Sequence, residues 1–547
     1  MRRFEELSYW QSVGLIGLVT LVVFASFNGQ SHLFDWDEIN FAEAAREMII
    51  TGNYSVVQIN YEPFWEKPPL FFWLQVIAMK LFGINEFSAR FPNAIAGVIT
   101  AILLFSIGRK NFSNTFGWIW AFAYSTSLLP LMYFKSGIID PWFNLFIFFG
   151  VYSTWNSLSS DGSSRIKWAL LAGTSIGLGI MTKGPVALLV LLMVYGVFLL
   201  WKKFKVAITL KQILAFLTSL IFIGGLWFFV EWVYGRGYII QDFIEYQIRL
   251  LQTQDAGHGG PFYYHFVVLL IGCFPMSIFA LGGFKNNQKT DALIDFHKIQ
   301  LLLLVLVLLL FSAVNTKIIH YSSLCYFPLS FFAANFLSRK FEVESTTDTL
   351  QKIGIGVIGG VLLVAFFTLP YLGNNIELLR NATWIDDDFA KANFMAENSW
   401  GVVDFILPLI FAMGLALFFF QKSFKNYLSL MSLSGVSFLI ILVAFVPKIE
   451  AYTQRAAIEF YESKQGEDCY VVPVRFKSYA HLFYTDKKKP TNAQHSDYEW
   501  LINGETDKPV YCVLKITSAE EFAEKNTHFS LLYSKNGFAF FEKSMQD

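Results

Sequence analysis

Six short stretches set acids and bases among aromatics, glycines and prolines. "DWDEIN" holds Asp35, Asp37 and Glu38, and "NYEPFWEKPPLFFW" holds the adjacent pair Glu66-Lys67. "KSGIIDPW" holds Asp140, and "MTKGPVA" holds Lys183. "QIRLLQTQDAGHGGPFYYH" holds Arg249 and His258, and "NTKIIHYSS" holds Lys317, His320 and Tyr321. Carboxylates can orient a hydroxyl or take its proton, cations can hold an anion, and a carboxylate–imidazole pair can bind a metal. Such residues carry information only if the elements around them bring them together.

Those elements are apolar. The 547 residues are 54% hydrophobic, 18% aromatic and only 15% charged, where soluble proteins carry nearer a quarter charged residues. Lipid-facing surface removes the need for charge, so the composition indicates a polytopic membrane protein. A formal net charge of zero argues against a nucleic-acid partner. Cys273, Cys325, Cys469 and Cys512 show no metal-ligand spacing, and Cys469 and Cys512 read as two separate thiols, although an oxidising compartment would let them pair.

Apolar runs near 12–27, 91–108, 116–134, 141–157, 168–181, 185–201, 213–233, 263–283, 300–314, 318–337, 353–372, 402–420 and 427–446 give about thirteen expected spans of a bilayer roughly 30 Å thick. Arg2 and Arg3 before the first run look like a signal peptide, but no convincing cleavage site follows. With the N-terminus inside, the basic clusters Arg109-Lys110, Lys202-Lys203 and Arg339-Lys340 fall in inner loops. The six stretches then all fall outside, and so does the tail. The expected fold is an all-α polytopic membrane domain, 1–447, followed by a small soluble α/β domain, 448–547. In the tail, "CYVVPVRF" and "PVYCVLKI" read as strands, "SAEEFAEKN" as a helix, and Asn536-Gly537 as a hairpin turn.

The first outer loop, 28–88, is expected to be structured. Phe41, Ala44, Ala45 and Met48 share one helical face and Gly52 ends that helix. "PPLFFWLQVIAMKLFG", opened by Pro68 or Pro69, reads as an amphipathic helix lying in the interface.

With these stretches in order, the first 340 or so residues resemble the lipid A aminoarabinose transferases. More broadly they resemble the protein O-mannosyltransferase-like enzymes of the C-type glycosyltransferase fold. The Asp-Glu loop followed by "EKPP" carries most of the resemblance, joined by "TKGPVAL", "HGGPFYY" and "TKIIHY". The resemblance implies an integral enzyme of the bacterial inner membrane that transfers a sugar from a polyprenyl-phosphate donor. The acceptor would be a lipid, protein or glycan on the extracytoplasmic face, and no nucleotide cofactor is expected. It implies Asp37 as the acceptor-side carboxylate, with Glu38 and Asp140 as second candidates. Lys67, Lys183 and Arg249 would hold the donor phosphate, joined by Lys317 and Tyr321. Glu66 and His258 would bind a divalent ion.

Each residue also has a purely structural explanation. Asp37 and Glu38 would stabilise a helix N-terminus, Asp140 would cap a span, and Lys183, Arg249 and Lys317 would reach headgroups. Glu66-Lys67 would be a solvated pair, and His258 a residue of a flexible Gly-Gly loop. "GIGVIG", 354–359, opens a span and reads as a helix-packing surface, with Gly356 and Gly360 forming GxxxG. "NAT", 381–383, fits a glycan acceptor with nothing beside it to support one. A secondary transporter is the rival class, but it would place ionisable residues at mid-membrane, whereas the apolar cores are almost free of charge, with Glu231 near an outer end as the main exception. A non-catalytic binder of lipid-linked glycans is the third, and it would tolerate loss of Asp37.

Overall fold

The computed structural model describes residues 6–252, 259–286, 288–343, 348–420 and 424–543. It is a helical bundle capped at one end by the first long loop and by the tail. Five described helices are long and apolar enough to cross a membrane: Glu86–Asn111, Asp291–Ala313, Thr349–Asn374, Val402–Phe420 and Lys425–Ala451. Leu210–Gly224 and Leu226–Val233 form a sixth candidate, bent by 49°.

Three of the remaining expected spans are less regular than apolar runs suggest. The run 116–134 divides into Asn114–Ser125 and Leu128–Tyr133, and 263–283 divides into Tyr264–Gly272 and Met276–Leu281 around Pro275. The run 318–337 begins as a 3-10 turn, Ile319–Cys325, before the helix Tyr326–Val343. These breaks hold polar groups inside the bundle. The Asn144 amide donates to the Tyr133 hydroxyl at 2.6 Å and to Ser323 Oγ at 2.7 Å, all buried. Helices that carry such residues face other helices, which is why they are less apolar than Thr349–Asn374. Elsewhere small residues allow close approach: a Cβ on Gly108 would lie 2.6 Å from the Gly117 Cα. In "GIGVIG" the tight contacts are at Gly354 and Gly359, whose added Cβ would lie 2.7 Å from Ile278 and 2.6 Å from Leu415. Gly360, expected to pack through GxxxG, has open space.

The first loop contains the two expected helices. Asp37–Thr51 buries Phe41, Ala44, Ala45 and Met48, and Gly52 ends it in the left-handed region at φ 68°. Leu70–Phe82 starts after Pro69 and exposes Ile77, Leu81 and Phe82, while Gln75 is buried and donates to the Ala89 carbonyl at 2.9 Å. A tight hairpin joins Gln58–Ile59 to Glu62–Pro63 through Asn60 and Tyr61, both at positive φ.

The last long helix runs past Pro447 to Ala451, and the tail folds back over the loop. Its sheet has strand order Tyr470–Val474, Val510–Lys515, Phe538–Lys543, Ser530–Lys535, parallel in the first pair and antiparallel in the others. Ala519–Lys525 is helical and Asn536-Gly537 turns the hairpin at φ 46° and 80°. One face of the tail shares a core with the loop: Tyr461, Leu482, Tyr484 and Phe540 pack with Leu33, Ile39, Phe41 and Phe71. Cys469 and Cys512 are both free thiols.

Candidate active site

A cavity of about 1250 Å³ lies between the first loop, the bundle and the tail. Asp37 enters it from the first turn of its helix, and Asp140 from the first turn of Asp140–Ser159. Lys183 is the last residue of Ser163–Lys183. The chain turns away there because Gly184 adopts φ 105°, and a Cβ on it would lie 2.9 Å from Phe243. The 3-10 turn Ile319–Cys325 delivers His320 and Tyr321.

These side chains meet. Lys183 Nζ donates to Asp140 Oδ1 at 2.6 Å and lies 5.2 Å from the centre of the Tyr321 ring. His320 Nε2 lies 3.6 Å from Asp37 Oδ2 and 3.7 Å from Asp140 Oδ2. Lys67 Nζ is 3.8 Å from Glu66 Oε2 and 4.9 Å from the centre of the Tyr246 ring. Tyr246 also takes the Arg249 guanidinium against its ring, at 5.2 Å. Burial holds the Lys67 amine below the ordinary lysine range; Glu66, Asp37 and Asp140 oppose that effect and Lys183 adds to it. Lys67, Lys183 and Arg249 thus line the cavity with two aromatic rings, Asp140 is paired with Lys183, and Asp37 stands beside His320. Such a lining can bind an anion beside a carboxylate able to accept a proton.

Two candidates from the sequence have other engagements. Glu38 does not present a free carboxylate. Both its oxygens accept from Arg90, at 3.0 and 2.8 Å, and they also accept the backbone N–H groups of Gly137 and Phe34. Burial works against this charge, but Arg90 and the two N–H groups hold the carboxyl below its usual range. Glu38 therefore fixes the loop to the bundle, one residue from Asp37. Lys317 lines the cavity, yet its amine donates to the carbonyls of Ser312 at 2.8 Å, Phe311 at 3.2 Å and Val314. It closes the end of helix Asp291–Ala313, and all three of its N–H donors have protein acceptors.

For the expected ion, His258 lies outside the described residues. Among the described residues no group of three His, Cys, Asp or Glu is arranged to hold a metal, and Glu66 lies beside Lys67. Glu231, in the helix Leu226–Val233, is paired with Arg236, which also donates to Ser55 Oγ at 3.0 Å.

The structure also shows cavity residues with no assigned role in the sequence reading: His320, Tyr246 and, from the tail, Lys477, whose amine lies 4.7 Å from the centre of the Trp36 ring. His320 was within reach, because "TKIIHY" is one of the motifs that carry the resemblance. Lys477 has no local signal: only the folding-back of the tail brings it to the cavity.

Comparison with known proteins agrees with this architecture. A family profile described as "Dolichyl-phosphate-mannose-protein mannosyltransferase" matches residues 66–232. The undecaprenyl phosphate-alpha-4-amino-4-deoxy-L-arabinose arabinosyl transferase of Wigglesworthia glossinidia brevipalpis is 28% identical over 368 residues, 64% of this chain and 63% of that protein. The enzyme of the same name from Pectobacterium carotovorum subsp. carotovorum is 26% identical over 425 residues, 74% of this chain and 75% of its own length. The crystal structure of ArnT from Cupriavidus metallidurans bound to undecaprenyl phosphate superposes with TM-score 0.76 at 17% identity, covering 97% of this chain and 98% of that one. The apo form superposes with TM-score 0.74. In sequence and in fold, the chain is thus similar to the lipid A aminoarabinose transferase and protein O-mannosyltransferase-like family of C-type membrane glycosyltransferases.

Proposed function

We propose that this chain is an integral membrane glycosyltransferase that moves a sugar from a polyprenyl-phosphate donor to an acceptor on the extracytoplasmic face. The observation that carries the reading is the cavity itself, which a carboxylate, Asp37, shares with the cations Lys67, Lys183 and Arg249. The donor phosphate lies along those cations, which balance the charge that grows as the sugar–phosphate bond breaks. Asp37 orients the acceptor oxygen and takes its proton as that oxygen bonds to the anomeric carbon. Asp140 holds Lys183 in place, and Tyr246 holds Lys67 and Arg249 against one ring. A lipid acceptor suits a cavity whose lining also includes apolar side chains such as Leu442, Val443 and Val446.

The orientation belongs to the same proposal, with the N-terminus inside and about thirteen spans, counting interrupted ones. A reporter fused after Pro447 should then read non-cytoplasmic and one fused at Lys203 cytoplasmic. The enzymatic reading is tested in a deletion strain. Mass spectrometry of its lipid A and surface glycans should lack a sugar that the wild-type gene restores and an Asp37→Asn gene does not. Unchanged glycolipids and glycans in the deletion strain would sink the proposal.

A further inference from the structure

His320 occupies a place that packing alone does not explain. Its turn is pinned from beneath: Ser323 Oγ donates to the His320 carbonyl and accepts the Asn144 amide of helix Asp140–Ser159. The ring is thereby aimed at the cavity, against the Tyr321 ring at 5.5 Å between centres. Its Nε2 stands between two carboxylates from different parts of the chain, Asp37 of the loop and Asp140 of the bundle. Asp140 is already held through Oδ1 by Lys183, while its buried Oδ2 has no hydrogen-bond partner and is the atom that faces the imidazole. Distances of 3.6 and 3.7 Å are ion-pair separations that tighten readily to hydrogen bonds once substrates fill a site.

From this geometry we propose that His320 is the positioning residue of Asp37: its Nε2–H holds the carboxylate in one orientation and separates it from Asp140. The inference rests on the glycosyltransferase reading above. In the step concerned, the acceptor oxygen forms its bond to the anomeric carbon and its proton passes to Asp37. The sugar–phosphate bond breaks and its electron pair leaves with the phosphate. His320 keeps one carboxylate oxygen of Asp37 engaged so that the other meets the acceptor. Without the imidazole the two carboxylates would face each other with no donor between them. The charged and titratable groups that face His320 are Asp37 from the loop, Asp140 and Lys183 from two bundle helices, and Tyr321 from its own turn.

The test adds purified full-length protein to membranes of the deletion strain. Sugar added to membrane lipid and glycan is followed by mass spectrometry across pH, with undecaprenyl phosphate binding measured in parallel. His320→Ala is expected to lower the maximal rate by about tenfold to a hundredfold, the scale of a misplaced catalytic group, with undecaprenyl phosphate affinity within about twofold of wild type. The acid limb of the rate profile should move to higher pH, because two carboxylates with no donor between them resist ionising together. His320→Gln keeps a side-chain N–H and should recover part of both losses. A His320→Ala rate within twofold of wild type with an unmoved acid limb overturns the proposal. Lost undecaprenyl phosphate binding also overturns it, because His320 would then build the donor pocket. Wild-type protein that adds no sugar overturns the glycosyltransferase reading itself, and the role of His320 with it.

Discussion

Helix Asp37–Thr51 carries acids at both ends, and the two ends are treated in opposite ways. At its start, Asp37 is partly exposed to the cavity and the His320 imidazole stands 3.6 Å away. Further along it, Glu43, Arg46 and Glu47 are fully buried. There Arg46 donates twice to Glu43 at 2.7 Å and reaches the tail through Asp486 Oδ1 at 3.0 Å and the Lys487 carbonyl at 2.9 Å. Glu47 accepts the Tyr61 N–H at 2.8 Å. The Tyr61 hydroxyl donates to the same Lys487 carbonyl at 2.7 Å. Closed, short pairing locks loop to tail, whereas open, longer pairing leaves charge available to a substrate. One helix therefore serves as a structural clamp and as a wall of the site.

The comparison predicts its largest effect at the clamp. Arg46→Met leaves Glu43 buried without its partner, which should destabilise the fold by about 3–5 kcal/mol. Chemical or thermal unfolding in detergent measures this, and a loss below about 1 kcal/mol would mean the clamp is not needed. At the other end Asp37→Asn should leave the unfolding midpoint near wild type while turnover falls by on the order of a hundredfold or more. Equal damage to stability in both variants would erase the distinction between the two ends.

Smaller effects sharpen it. Lys67→Met removes one charged donor from the cavity and should weaken undecaprenyl phosphate binding by about 1.5–3 kcal/mol in a direct titration. Unchanged affinity would confine the phosphate to Lys183 and Arg249. The smallest effect concerns pH. Burial, and then Glu43, push the Glu47 carboxyl well above its ordinary value of 4.5. As pH rises above 4.5 the unfolded chain loses this proton while the folded chain keeps it, so stability falls with rising pH. Glu47→Gln keeps the shape without the titration and should flatten that slope, read as unfolding midpoints from pH 5 to about pH 8. A slope unchanged by the substitution would assign the pH dependence to another group.

Much of the scaffold was legible because its signals are local. The apolar face Phe41, Ala44, Ala45 and Met48, the stop at Gly52, the helix opened at Pro69 and the Asn536-Gly537 hairpin all follow from periodicity and turn chemistry over a few residues. The breaks inside apolar runs were less legible, since Pro275 and the turn at Ile319–Cys325 interrupt sequence that remains hydrophobic on both sides. Hydropathy records what faces lipid or core, not whether the backbone stays helical.

By itself, the sequence indicated a membrane protein with an ordered first loop, an α/β tail, and a gathering of acids and bases. Only tertiary structure decided which of those charges remain open. Asp37 and Glu38 are neighbours of the same type, yet Arg90, 52 residues away from Glu38, closes one and leaves the other to the cavity. Lys183 and Lys317 are both lysines at helix ends, yet one meets a carboxylate and the other meets three carbonyls. The physical reason is that a charge is set by what packs against it, and those partners come from distant segments whose pairing no local pattern encodes.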